Sequence, residues 1–204
     1  MSKIEDDSLY NKYNLKWVIP ITLWTFIISI TLSVFSESLV KRFDLLVAFI
    51  ILIIIIFIGI IFDIVGVAVT SANEKPFHAM AANKIPEAKI AIKLVRNAGK
   101  VSNFCNDVIG DISGILSGAI SASIVIKLVE TFSLLNITII TILLTAFTAS
   151  LTVGGKGIGK SIAMNNDEKI VYIMAKFLKL LEKVFNIKFF KEKNTKEKNA
   201  NGSK

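Results

Sequence analysis

Residues Gly154–Ser161 read GGKGIGKS and meet the pattern G-x-x-x-x-G-K-[ST] at every fixed position. In a phosphate-binding loop of that pattern the glycine amides cradle phosphates. Lys160 would then reach the terminal phosphates and Ser161 would ligate Mg²⁺. That chemistry requires a short buried strand before the loop and a helix after it, inside an α/β domain. Here the preceding stretch, Leu134–Gly155, is uncharged and long enough to cross a membrane. Only 43 residues follow Ser161, too few for a nucleotide-binding core. The run IIFIGIIFD ending at Asp63 imitates the acidic partner motif, but it too lies inside an apolar stretch. Nucleotide binding is therefore not expected. The glycines have two remaining uses. They let helices approach closely, or they break a helix so that its carbonyls line a polar cavity.

The other candidates are acids. Asp63 lies within an apolar stretch, and Asp107 and Asp111 stand one helical turn apart where another begins. Ionisable groups inside a membrane are costly and mark ion pathways. Carboxylates, amide carbonyls and hydroxyls are the hard oxygen ligands that Mg²⁺ and Ca²⁺ take. The structural alternative for Asp107 is a helix cap; Asp111 sits a turn deeper. Gly110, Gly114, Gly118 and Ala122 recur every fourth residue, which predicts a close-packing face. Thr141, Thr145, Thr148 and Thr152 form a stripe whose hydroxyls are expected to bond to their own helix backbone. His78 stands alone in a polar segment and reads as solvated. With no H-E-x-x-H, Ser–His or Cys–His arrangement, no enzyme is expected.

These residues are carried by an oily chain. Hydrophobic residues make up 53% of it, and its mean hydropathy is +0.63, above the range of soluble domains. The fold class expected is all-α membrane protein: four transmembrane helices with cytoplasmic juxtamembrane helices. Residues 1–16 form a cytoplasmic polar tail and 17–35 a first transmembrane helix, joined by a short loop, 36–44, to the rest. Further spans are expected at about 45–69, 107–129 and 134–153. A cytoplasmic helical segment, 74–104, is divided at Pro86. An amphipathic helix, 167–187, is expected to lie on the inner membrane surface, and 188–204 is a disordered basic tail. A signal peptide is disfavoured by the long first apolar region and by Glu5, Asp6 and Asp7 before it. Cys105 is the sole cysteine, so no internal disulfide forms.

Of the 24 Lys and Arg residues, 21 fall in the termini and in 70–106. The positive-inside rule then places both termini and that segment in the cytoplasm. Because the charges flank spans, the basic balance points to membrane lipids and away from nucleic acid. The Lys, Ile and Asn content suggests a bacterial source, and the apolar spans with their flanking charges a cell-membrane location.

Three blocks resemble the transmembrane domain of the CNNM/CorC (CorB-like) magnesium transporters. The block VTSANEKPFHAMAANKIPEAKIAIKLVRNAGKV resembles the family's S-x-x-E and the basic helical stretch after it, with Ser71 and Glu74 at the motif positions. SNFCNDVIGDI is placed like the family's G-N-T helix start, with Asn106 as its asparagine. VGGKGIGKSIAMNNDEKIVYIMAKFLKLL resembles G-E-x-x-P-K-s-l-A followed by a juxtamembrane helix. The likeness covers about 45–187. It lacks the family's cytosolic CBS pair and C-terminal domain, and 17–35 is extra. It implies a homodimeric membrane module that handles Mg²⁺ as transported ion, with no other cofactor and with a separate cytosolic regulatory protein as a further partner. Ser71, Asn106 and the Gly155 carbonyl are the implied ligands, with Asp107 and Asp111 beside them. The family's glutamate is Lys156 here and its proline is Gly159. Lys156 is therefore expected to pair with Asp111 or Asp107 and to take the ion's place. The alternative reading is a structural or regulatory relative that does not transport.

Overall fold

The computed structural model describes residues 15–42, 44–132 and 136–185, and every regular element in them is helical. Helix α1 spans Leu15–Arg42, α2 Leu45–Ser71, α3 Lys75–Ala82, α4 Ala88–Arg96 and α5 Ala98–Asn103. A π-helical segment, Phe104–Gly110, runs directly into α6, Asp111–Thr131; α7 spans Ile137–Asn165 and α8 Asp167–Phe185. The expected tails, 1–16 apart from its last two residues and 188–204, lie outside the described residues.

Among the described residues three helices are long and apolar enough to cross a membrane: α2, the continuous helix Ala98–Thr131, and α7. The apolar stretch of α1 is shorter, Val18–Val34. Length and composition therefore support three spans where the sequence predicts four. The Ile50–Ile58 run is rich in β-branched residues, which favour strands in water. A lone segment in hydrocarbon can satisfy its amides only as a helix, and α2 runs through that stretch unbroken. It ends where Ala72 turns extended, just before Pro76 opens α3. The left-handed Lys84, with φ 59°, turns the chain between α3 and α4.

Close approaches fix the relative directions of the spans. Gly155 of α7 meets Ile60 of α2, and Gly159 meets Ile64, so contacts advance together and α2 and α7 run parallel. Ser113 meets Gly59 and Asn106 meets Gly66, so α2 and α6 run antiparallel. Ile21 and Ile28 of α1 pack with Val108, Ile112 and Leu116. The half of the bundle nearer the start of α2 is held by Ala48, Leu52, Ile56 and Ile60 of α2 against Ile120 and Ile124 of α6. Beyond the end of α2, Phe77, Ala91 and Leu94 pack with Val171 and Ala175 of α8 into a cap.

Several local expectations change. The loop 36–44 is helical as far as Arg42, and the continuous helix that carries the third apolar stretch begins at Ala98. The four-residue stripe is packed only at its start: Gly110, in the π-helical segment, is buried beside Lys156, whereas Gly114 and Gly118 on α6 have no neighbour that a methyl would meet. The buried face carries Ser113, Ser117 and Ser121 instead. Ser113 and Ser117 donate to backbone carbonyls one turn back. Thr148 donates to Leu144 O, which leaves Ser121 as donor in the buried 2.9 Å bond between the two hydroxyls. The threonine stripe back-bonds to its own helix as expected. Helix α8 packs on protein along part of its apolar face. It buries Val171 and Ala175 on protein and leaves Ile173, Phe177, Leu180 and Val184 uncovered.

Candidate functional site

The glycine-rich octet GGKGIGKS lies entirely inside α7. A continuous helix commits its amides to carbonyls four residues back, so neither a phosphate cradle nor an open carbonyl ledge forms there. The two uses left to the glycines resolve in favour of close approach. A side chain at Gly155 would coincide with Ile60, and one at Gly159 would stand 2.7 Å from Ile64. Gly154 and Gly157 face open space.

That approach builds a seam. At about 100° per residue, Gly59 and Gly66 of α2 face α6 and the π-helical segment, while Ile60 and Ile64 face α7. Asp63 points between the two directions. It continues the core line of Leu52 and Ile56 and is only 4% exposed. Its Oδ2 is buried and accepts no hydrogen bond. Lys160 Nζ of α7 lies 4.0 Å from that oxygen, within ion-pair range but too far for a hydrogen bond.

Asn106 enters the same seam from the π-helical segment. A π turn inserts an extra residue into a helix and re-aims the side chains around it, often at functional sites. The Asn106 carboxamide lies over Gly66 and fills the space that a methyl would take. Its Nδ2 donates to Ser102 Oγ at 3.1 Å, while its Oδ1 is buried without a donor. Gly66 is one helical turn from Asp63, so two donorless acceptors share one stretch of α2. Each such acceptor costs about 1–3 kcal/mol when left unpaired. Oxygens of this kind suit a hard cation. Among the described residues no group of three or more His, Cys, Asp or Glu could hold a metal, so the oxygens available are a mixed set.

The predicted ligands do not gather. Ser71 is exposed at the end of α2, eleven residues beyond Ile60, the residue that Gly155 touches. At about 1.5 Å per residue, the two are separated by roughly 16 Å along the helix. Asn106 lies between these levels. Asp107 and Asp111 are exposed, and Asp107 sits within the π-helical segment and caps no helix. Lys156 pairs with neither of them. Its Nζ stands beside Gly110, 3.4 Å from where a Cβ would be. The pairing expected of Lys156 is made one turn later by Lys160, toward Asp63. Level along the helix decides this, because Lys160 follows Gly159, which meets Ile64 next to Asp63, whereas Lys156 follows Gly155 one turn earlier.

Glu74 belongs to the cap. It accepts from Arg96 Nε at 3.0 Å and meets His78 Nε2 at 3.1 Å, so His78 is partnered as well. The Arg96 hydrogen bond first, and the His78 contact second, hold the Glu74 carboxyl below its ordinary value. Glu87 is held low by its own backbone amide and by Lys179, 3.1 Å away on α8. Gly59, Gly66 and Lys160 also build the seam, and their spacing along the sequence does not by itself reveal it. The one signal available was the repeated Gly-Lys pair at four-residue spacing.

Long apolar helices, a helical cap and a polar seam between the spans define a helical membrane protein with a buried acidic centre. The family model of the cyclin M (CNNM) transmembrane N-terminal domain matches residues 49–188, and the chain belongs to that family. The match begins inside α2 and leaves α1 outside it. Searches of curated proteins and of solved structures found no match.

Proposed function

We propose that this chain is the membrane module of a divalent-cation transporter, with Mg²⁺ as its cargo. The observation that carries this reading is the pair of buried, donorless oxygens, Asp63 Oδ2 and Asn106 Oδ1, at the seam of α2, the π-helical segment and α7. Family membership supports it. Passage, not catalysis, is the chemistry proposed. In this reading α1 is a fourth span and both termini are cytoplasmic, which agrees with 21 of the 24 Lys and Arg on that side. The module lies in the cell membrane as a homodimer. The uncovered Ile142, Leu143, Phe147 and Val153 of α7 face lipid or the second copy.

A second reading, a regulatory relative that does not transport, is favoured by the two ammonium groups of Lys156 and Lys160 beside the seam. Mg²⁺ entry into proteoliposomes, read by an internal indicator, separates the two. Transport predicts entry above protein-free vesicles, lost in Asn106→Leu. Wild-type entry equal to that of empty vesicles refutes transport and leaves the regulatory reading.

A further inference from the structure

We propose that Lys160 is a tethered competitor for the cation. Its ammonium neutralises Asp63 when no ion is bound and withdraws when a divalent ion takes the carboxylate. The proposal rests on the reading of the seam as a cation site and names what regulates it.

The two partners are unequal. The Asp63 side chain is 6% exposed and fixed on α2, whereas the Lys160 side chain is 53% exposed. Only the lysine has room to move, and its backbone cannot, because α7 is continuous on both sides of it. The four-carbon stem supplies the motion, carrying the charge toward water or lipid phosphate. The contact suits displacement. At 4.0 Å it holds by charge alone, unlike the 3.1 Å Lys179–Glu87 pair, which is also a hydrogen bond. A buried carboxylate left without any cation is unfavourable, so a resident ammonium stabilises the seam between binding events.

Exchange also selects by charge. A divalent ion brings twice the charge of the ammonium it displaces, whereas a monovalent ion brings no more than Lys160 already supplies. Lys156, beside Gly110 on the same face of α7, adds a further positive charge nearby. The tether therefore lowers affinity for every cation and excludes monovalent ions most.

The test is Mn²⁺ binding to the purified full-length protein at constant ionic strength, followed by the loss of free-Mn²⁺ spin signal. Lys160→Gln should tighten Mn²⁺ about tenfold, the equivalent of ~1.4 kcal/mol. It should also make binding sensitive to replacement of choline by Na⁺, which a purely structural lysine would not do. Lys160→Arg keeps the charge and should stay within about twofold of wild type. Asp63→Asn should lose binding. Thermal unfolding of each variant monitors the fold, and the exposure of Lys160 makes its substitution tolerable. If Lys160→Gln binds like wild type, or more weakly, while Asp63→Asn loses binding, the tether is wrong and the cation site stands. If Asp63→Asn binds like wild type, the cation reading of this carboxylate fails, and the tether with it.

Discussion

Replacing Gly66 by alanine should separate cation binding from stability. The added methyl would coincide with Asn106 Oδ1 and stand 2.7 Å from its Cγ. These atoms are the far end of a side chain, so the carboxamide moves and the two helices stay in place. Moving it breaks the Nδ2 to Ser102 Oγ bond, a loss of about 0.5–1.5 kcal/mol. Alanine in place of glycine within a helix returns about 0.8–1.0 kcal/mol. The two nearly cancel, so unfolding in detergent should shift by less than about 1 kcal/mol. Cation binding should weaken, because Asn106 Oδ1 leaves its place over Gly66, one helical turn from Asp63. Losing one of a few oxygen ligands should weaken Mn²⁺ at least about tenfold, ~1.4 kcal/mol. Paired thermal unfolding and Mn²⁺ titration of Gly66→Ala measure both. Wild-type Mn²⁺ affinity would remove Asn106 from the site. A destabilisation above about 2 kcal/mol would show that the helices, not the side chain, absorb the collision.

Gly159→Leu should lose about 1–3 kcal/mol by overpacking, since even a Cβ there stands 2.7 Å from Ile64, whereas Gly154→Ala, in open space, should be neutral or slightly stabilising in the same unfolding assay. Acid should loosen the cap. The Glu74 carboxyl is held low in the folded protein, so its pairing with Arg96 stabilises fully above the unfolded value of about 4.3 and is lost as pH falls through the lower folded value. Protection of α3 and α4 from hydrogen exchange, corrected for the intrinsic rate at each pH, should therefore fall below about pH 4.3, and Glu74→Gln, already lacking the charge, should flatten that dependence; an unchanged profile in Glu74→Gln would refute the assignment.

The sequence by itself determined that this is a helical membrane protein, where its long apolar helices lie, and that a polar helical cap follows the end of α2. Those are local properties. A segment of about 20 apolar residues must be helical in hydrocarbon whatever its neighbours are, and α2 and α7 carry that pattern plainly. The three family blocks were also local, and the chain belongs to the family they pointed to. Which side chains meet was decided by the tertiary structure. A change of one residue rotates a side chain by about 100° around its helix, so spacing within one span cannot say what faces it on another. The glycine stripe of α6 looked like a contact face, yet the serines beside it are the buried ones. Asp107 and Asp111 shared a depth with Lys156, yet both are exposed, and it is Lys160 that reaches Asp63. The π turn that brings Asn106 over Gly66 left no mark in the residue pattern, because it is a change of backbone winding. Four glycines, at 59, 66, 155 and 159, let three helices close on one carboxylate. Each is an ordinary membrane glycine until the partner helix is placed against it.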